Sequence, residues 1–280
     1  MIRLSAFADE ISADLNEQAA VLLSEGIHHI DLRSAWGVNV LDLSDQQVAE
    51  VKHILESQGI KVAAIGSPIG KVPIDTPFDE YLNRFERAIT VARALNTTYI
   101  RIFSFYPPSN EIGTGKANPA TYRDEVVRRL REMTARARAA GIILVHENEK
   151  DIYGDTIARC VDLLQSINDP HFRSALDPAN YLQCDQIPYP DAYEATRPWL
   201  GYVHVKDVSA NGTLVVAGDG EAHWPELLQR LRQDGYDGFF ALEPHLKAAG
   251  QFQGFSGPDR FRQASQALQS LLRAMNWEYA

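Results

Sequence analysis

The 280-residue sequence contains only two cysteines, Cys160 and Cys184, and they do not form a CxxC pair. This number and spacing exclude a disulfide framework and a zinc knuckle. Basic residues are also scarce, since 27 Lys and Arg stand against 37 Asp and Glu, for a formal net charge of −10. Proteins that bind nucleic acid usually carry a basic face, so this balance disfavours nucleic acid as a partner.

Long apolar runs are missing as well. No stretch approaches the roughly 18 consecutive apolar residues of a membrane span. The opening residues, MIRLSAFADEIS, place Asp9 and Glu10 where a signal peptide would need an apolar core. We therefore expect a cytoplasmic protein without a membrane partner.

Strand-like and helix-like segments alternate along the whole chain. The first strand runs into FADEIS (7–12), which has no glycine, so the phosphate loop of a doubly wound dinucleotide-binding sheet is absent. We predict strands at 2–7, 28–32, 61–66, 98–103, 141–147, 172–177, 201–206 and 238–243. We predict helices at 13–25, 46–58, 79–95, 119–140, 155–167, 190–197, 224–234 and 258–275. This pattern predicts an α/β protein with one (β/α)8 TIM barrel domain over 1–280.

Four strands in the second half of the chain carry, at or near their ends, a side chain of a kind that commonly binds metal ions. Glu147 ends ILVHE, Asp177 ends RSALD, His204 lies in YVHVKD, and Glu243 ends FFALE. The carboxyl ends of successive barrel strands converge at one mouth, where such barrels keep their chemistry. Charged residues are rarely buried unless they are paired or bound to a metal. We therefore predict that these four residues hold one divalent ion.

Three carboxylates and one imidazole suit Mn²⁺, Mg²⁺ or Co²⁺, and also Zn²⁺ with open positions for water or substrate. A metal that holds neighbouring substrate oxygens acidifies the C–H bond next to a carbonyl. Glu147 and Glu243 could then remove and return a proton. This chemistry predicts an enzyme that isomerises or epimerises a small carbohydrate-like substrate, or one that eliminates water from it.

The sequence resembles the sugar phosphate isomerase/epimerase family of xylose-isomerase-like TIM barrels. The resemblance lies in HEN (146–148), LDPAN (176–180), HVKD (204–207) and LEPH (242–245), and it extends to AFADEIS (6–12) and HHIDLRSAW (28–36). The family includes ketose 3-epimerases, hydroxypyruvate isomerases, inosose and dehydroshikimate dehydratases, and endonuclease IV. The resemblance implies metal ligation by the same four residues, with Glu147 and Glu243 as the acid/base pair.

Two positions depart from the ketose 3-epimerase pattern. These epimerases carry His three residues after the Asp ligand and Arg six residues after the His ligand, where this chain has Asn180 and Ala210. A metal-dependent dehydratase is therefore the alternative to an isomerase or epimerase. Two more distant alternatives are an endonuclease IV-like DNA repair enzyme and a non-catalytic sugar-binding barrel.

Further polar residues follow predicted strands and are candidates for substrate binding. Lys206 lies two residues beyond His204, so strand alternation points both to the same side. The other candidates are Asn180, Arg33, Tyr106 and His245, and Glu10 and Ser67 are also considered for the pocket wall. The irregular segments 105–119 and 244–257 are predicted lids. A homodimer or homotetramer is expected only by analogy with such barrels.

Overall fold

The computed structural model describes residues 1–115, 117–246 and 256–280. Eight parallel strands form a nearly closed barrel: β1 Arg3–Ala6, β2 His29–Leu32, β3 Lys61–Ile65, β4 Tyr99–Ile102, β5 Ile143–Glu147, β6 Phe172–Leu176, β7 Leu200–Val205 and β8 Phe239–Leu242. Each lies within about two residues of its predicted bounds. The predicted single-domain (β/α)8 TIM barrel is confirmed.

The strands pair in the order β1-β8-β7-β6-β5-β4-β3-β2. In this part of the chain, which is fully described, β1 and β2 lie side by side but form no backbone ladder. The order places β5 to β8 next to one another, so the ends of these four strands share one side of the mouth.

The helices surround the barrel. They are α1 Leu15–Ser24, α2 Asp45–Ser57, α3 Phe78–Ala94, α4 Pro119–Ala139, α5 Ile157–Ile167, α6 Pro178–Leu182, α7 Tyr193–Thr196, α8 Trp224–Gln233 and α9 Pro258–Ala274. The regular helix predicted at 190–197 is replaced by three short pieces: a π-helical turn at Pro188–Ala192, α7, and a 3₁₀ turn at Arg197–Trp199. Pro188, Pro190 and Pro198 lack a backbone donor, which prevents one continuous helix.

Local sequence signals explain several helix ends. Ser44 and Gln47 form a reciprocal capping box at the start of α2. Asp14 accepts a hydrogen bond from the Glu17 N–H at the start of α1. Gly26 and Gly59 follow α1 and α2 with φ of 71° and 74°, a left-handed conformation that glycine adopts without strain. At these two glycines the helices end and the chain reverses direction to enter β2 and β3.

The barrel interior is filled by side chains. Phe7, Val145, Tyr202 and Phe239 belong to one buried apolar cluster inside the strands. Tyr202 stacks on Phe239 with ring centroids 5.5 Å apart and planes inclined by 24°. The interior is therefore a packed core rather than a channel, and it separates the two ends of the barrel.

The predicted lids are described only in part. Segment 105–119 is described except for residue 116, and Tyr106 exchanges backbone hydrogen bonds with Val72 and Ile74. Of the predicted lid 244–257, residues 247–255 lie outside the described residues. Among the helices in the described ranges, none combines the length and the apolar character needed to cross a bilayer.

Candidate metal centre

The four predicted metal ligands lie together at the carboxyl end of the barrel. Glu147 ends β5, Asp177 directly follows β6, His204 lies in β7, and Glu243 directly follows β8. Each offers one ligand atom, and these atoms all lie within 4.8 Å of one another. All four side chains are buried. We call these residues the quartet.

Glu243 Oε2 and both ring nitrogens of His204 have no hydrogen bond to any described residue, whereas Asp177 Oδ2 pairs with Lys206 Nζ at 2.9 Å. A buried polar atom without a hydrogen bond costs about 1–3 kcal/mol. His204 Nδ1 lies 3.2 Å from Glu147 Oε1, but the geometry does not meet that of a hydrogen bond. Carboxylate oxygens and an imidazole nitrogen suit a divalent cation, so the quartet fits the metal that the sequence predicts.

Two asparagines hold the quartet in place. The Asn148 side chain bonds the Asp177 backbone twice, donating from Nδ2 to the carbonyl and accepting from the N–H, both at 2.9 Å. Asn180 donates from Nδ2 to Glu147 Oε1 at 3.1 Å, and its N–H donates to Asp177 Oδ1. The ends of β5 and β6 are therefore fixed to each other. The sequence reasoning did not assign Asn148 a role, although it directly follows Glu147.

Arg101 lies between the two glutamates. Its Nη1 is 3.1 Å from Glu147 Oε2 and 3.5 Å from Glu243 Oε1, and its side chain is 6% exposed. Arg101 lies inside β4, where an arginine interrupts the apolar run TYIRIF. A buried arginine needs an anionic partner, and this interruption was the signal that sequence reasoning missed.

Arg33 binds Glu243 together with two carboxylates outside the quartet, those of Asp9 and Glu10. Its Nη1 lies 2.6 Å from Glu243 Oε1, its Nε 2.7 Å from Asp9 Oδ2, and its Nη2 3.1 Å from Glu10 Oε1. His245 also joins Glu10 to Glu243, with Nδ1 2.7 Å from Glu10 Oε1 and Nε2 3.4 Å from Glu243 Oε1. The ends of β1, β2 and β8 therefore meet in one network of charges.

Glu10 also connects both sides of the segment that follows β8. Its Oε2 accepts hydrogen bonds from the His245 N–H at 3.2 Å and from Ser256 Oγ at 2.9 Å. Its carbonyl accepts from the N–H groups of Ser256 and Gly257. Glu10 is fully buried, and it is a structural anchor rather than a pocket-lining residue.

The surrounding cations set the charge of the glutamates. Burial alone would raise the pKa of Glu147, but His204 and Arg101 outweigh it and lower that pKa. Burial would likewise raise the pKa of Glu243, and Lys206 leads the cations that lower it well below its usual value. Both carboxylates are therefore ionised near neutral pH.

The pKa values of Asp177 and His245 are raised. Burial raises the pKa of Asp177, although Lys206 Nζ lies only 2.9 Å from its Oδ2. Burial would lower the pKa of His245, but Glu243 and Glu10 raise it to about 9. His245 therefore carries a positive charge at neutral pH in the geometry described.

A cavity of about 550 Å³ opens at this end of the barrel. The structure brings all five predicted substrate-binding residues to its wall: Arg33, Tyr106, Asn180, Lys206 and His245. Glu243 and Arg101 also line it, so the cavity reaches the quartet. Ser67 does not line it, because its hydroxyl is buried and donates to the Arg101 carbonyl.

Asp207 organises the loop that follows β7. Its carboxylate accepts hydrogen bonds from the N–H groups of Val208, Gly218, Gly220 and Ala222, at 2.8 to 3.1 Å. A Cβ at position 220 would lie 2.2 Å from Asp207 Oδ1, so glycine is required there. The loop brings Leu214 to the cavity wall.

The fold and the site define an α/β barrel with a candidate metal centre at the carboxyl ends of four neighbouring strands. A family model described as "Xylose isomerase-like TIM barrel" matches residues 20–272. The chain belongs to this family. The family resemblance identified in the sequence is thereby confirmed.

The relatives include enzymes of two kinds. A D-psicose 3-epimerase of Enterocloster bolteae is 23% identical over 241 residues, which cover 79% of this chain and 77% of the relative. A 3-dehydroshikimate dehydratase of Bacillus anthracis is 20% identical over 229 residues, covering 74% and 78%. A solved xylose isomerase-like TIM barrel protein from Mycobacterium smegmatis, in complex with magnesium, is 20% identical with a TM-score of 0.72, covering 97% of each chain. The superfamily therefore includes sugar epimerases and a dehydratase.

Proposed function

We propose that the protein is a divalent-metal-dependent isomerase or epimerase that transfers a proton next to a carbonyl of a small sugar, sugar acid or polyol-derived substrate. The observation that carries the proposal is the buried quartet, whose ligand atoms lie within 4.8 Å of one another at the mouth of the barrel. The epimerase among the relatives supports the same reaction class.

Glu147, Asp177, His204 and Glu243 would hold one Mn²⁺, Mg²⁺, Co²⁺ or Zn²⁺ ion. When bound, such an ion polarises the substrate carbonyl and stabilises the negative charge that develops as the neighbouring C–H loses its proton. The quartet atoms that lack hydrogen bonds to described residues support this assignment, because a cation would satisfy them.

Glu147 and Glu243 would transfer the proton. Arg101 Nη1 contacts both carboxylates, so the two groups are held on one guanidinium nitrogen. Both are ionised near neutral pH because cations lower their pKa values. One ionised glutamate would accept the proton from carbon, and the other, after taking up a proton from water, would return one to carbon, which interconverts two sugars without a net change in atoms. Proton exchange with water would then restore both carboxylates.

The remaining wall residues would bind and orient the substrate. Lys206 is buried and lies 2.9 Å from Asp177 Oδ2 and 3.8 Å from Glu243 Oε2, so its ammonium can donate to a substrate oxygen beside the quartet. Arg33 and His245 form ion pairs with Glu243 Oε1 and so hold its carboxylate in position. Asn180 orients Glu147, and Tyr106 would contact the outer part of the substrate.

Glu243→Gln tests the proposal. We expect it to fold normally and to lose at least 100-fold in turnover across a panel of ketoses, aldoses and sugar acids, since general acid–base catalysis contributes about 10²–10⁴-fold. Exchange of the substrate C–H for deuterium from heavy water should fall in parallel. Glu50→Gln is the control, because Glu50 is exposed on α2 and makes the same change of charge outside the cavity. If Glu243→Gln works within a few-fold of wild type, the assignment fails.

Metal content gives an independent test. Elemental analysis after reconstitution should show one divalent ion per chain. A chain that takes up no divalent ion would favour a sugar-binding barrel without catalysis.

A metal-dependent dehydratase is the second candidate. Asn180 is already occupied by Glu147 and by the Asn148 carbonyl, and Ala210 is exposed, so neither position offers the hydroxyl-binding group of ketose 3-epimerases. The dehydratase among the relatives supports this reading. Proton removal beside a carbonyl would then be followed by loss of a hydroxyl as water. An ultraviolet-absorbing unsaturated product would distinguish a dehydratase from an epimerase.

A further inference from the structure

A second cavity lies at the opposite, amino-terminal end of the barrel. Its volume is about 780 Å³, larger than that of the cavity at the quartet. The first residues of five strands line it: Arg3, His29, Lys61, Tyr99 and Phe239. The packed interior, in which Tyr202 stacks on Phe239, separates this cavity from the quartet.

Two cations of this cavity have no acidic partner in the described part of the chain. Neither Arg3 nor Lys61 has a carboxylate within 4.0 Å among the described residues. Arg3 instead lies over the Phe239 ring, 4.0 Å from its centroid, and donates to the Asp237 backbone carbonyl at 3.4 Å. This absence stands out in a chain with a net charge of −10.

The other charges in the wall cancel each other. Lys52 and Glu56 form an ion pair at 3.9 Å on α2. Burial, together with Arg3 and Lys61, lowers the pKa of His29 to about 4, so this imidazole is neutral at physiological pH. Arg3 and Lys61 are therefore the charged side chains of the wall that no other side chain of the wall balances.

Much of the remaining wall is apolar. Leu55 and Ile60 come from the end of α2 and the turn after it, and Leu95 follows α3. Ala63 comes from β3, and the ring of Tyr99 stands beside it in the wall. An occupant would therefore meet apolar side chains and two cations that lack an anion.

From these observations we infer that the amino-end cavity binds an amphipathic carboxylate, whose charge pairs with Arg3 and Lys61 while its apolar body packs against Leu55, Ile60 and Leu95. This site is distinct from the quartet and does not depend on the proposed function.

Four probes test the inference on the full chain loaded with Mg²⁺. Benzoate and hexanoate carry both features, benzyl alcohol lacks the charge, and inorganic phosphate lacks the apolar body. In calorimetric titrations we expect the two carboxylates to bind at least 10-fold more tightly than benzyl alcohol or phosphate. Equal binding of all four probes would overturn the inference.

Variants of the cavity wall show whether the carboxylate probes bind in this cavity. Lys61→Gln changes an exposed side chain, so it should fold normally and weaken benzoate binding at least 5-fold. Arg3→Gln should weaken it at least 10-fold. Arg138→Gln makes the same charge change on α4 and should leave binding unchanged. If Lys61→Gln and Arg3→Gln both bind benzoate as Arg138→Gln does, the carboxylate binds elsewhere, for instance at the quartet, and the inference is wrong.

A second copy of the chain is the competing occupant. Sedimentation velocity of wild type and Lys61→Glu distinguishes the two cases. If wild type and Lys61→Glu have the same sedimentation coefficient, no second copy of the chain covers the cavity. A wild-type oligomer that dissociates on Lys61→Glu would identify the face as an interface and overturn the inference.

Discussion

The two halves of the barrel bring side chains of opposite charge to the same mouth. Strands β2 and β4 supply Arg33 and Arg101, whereas β5, β6 and β8 supply Glu147, Asp177 and Glu243. The separation is incomplete, because Asp9 and Glu10 follow β1, and the cations Lys206 and His245 follow β7 and β8. Three buried carboxylates whose oxygens lie within 4.8 Å of one another need compensating cations, and Arg33 and Arg101 supply part of that charge from across the barrel.

Removing Arg101 should break this balance most severely. In Arg101→Met, Glu147 and Glu243 lose their shared cation, and we expect the free energy of unfolding to fall by about 3–5 kcal/mol in the presence of EDTA. A divalent ion would supply part of the missing charge, so the loss should shrink when Mn²⁺ is present. Denaturant titrations with EDTA and with Mn²⁺ measure both values. An equal loss under the two conditions would contradict a metal at the quartet.

Asp31, a buried carboxylate in β2, provides a contrast, because it forms no salt bridge with any described residue. Burial raises its pKa to about 6, although His204 and a hydrogen bond from Tyr202 at 2.8 Å oppose the shift. The folded state therefore holds a proton that the unfolded state releases near pH 4. This contribution to stability is complete below about pH 4 and is lost as the pH rises to about 6.

Asp31→Asn keeps the shape and removes the titration. Relative to wild type, its free energy of unfolding should increase by about 2 kcal/mol between pH 4 and pH 7. Chemical denaturation at several pH values measures this difference. A difference that stays flat over this range would show that Asp31 titrates normally.

Asn148→Ala should have the smallest effect. Asn148 contacts the backbone of Asp177 rather than any ligand atom, so its loss loosens the end of β6 without changing charge. We expect metal affinity to fall about 10-fold, with little change in the pH dependence of activity. Calorimetric titration with Mn²⁺ measures the affinity. Ser109→Ala, which removes a surface hydrogen bond to Asp75, is the control.

Much of the fold could be predicted from sequence, because the strands are short apolar runs that alternate with helical patterns, and those of the second half end in or next to charged residues. The quartet could also be predicted, since the ends of neighbouring parallel strands must converge. Arg101 could not be placed in the same way. Both faces of a barrel strand are buried, so the alternation that separates inward from outward residues is lost. The contact between Glu10 and His245 joins residues 235 positions apart, which no local pattern reveals.

Irregular elements were the least predictable. The five-residue helix α6 is too short for helical periodicity to be recognised, yet it starts with Asp177 as its N-cap and positions Asn180. The segment 188–199 has a helical apolar pattern, but its prolines divide it into separate turns.

Arg33 has a mechanical consequence for the barrel. It follows β2 and binds Asp9 after β1, across the seam where these two strands form no backbone ladder. Because the same guanidinium also binds Glu243, a displacement at this seam would also move a carboxylate that is proposed to transfer protons. Arg33 therefore links the closure of the barrel to the alignment of its proposed chemistry.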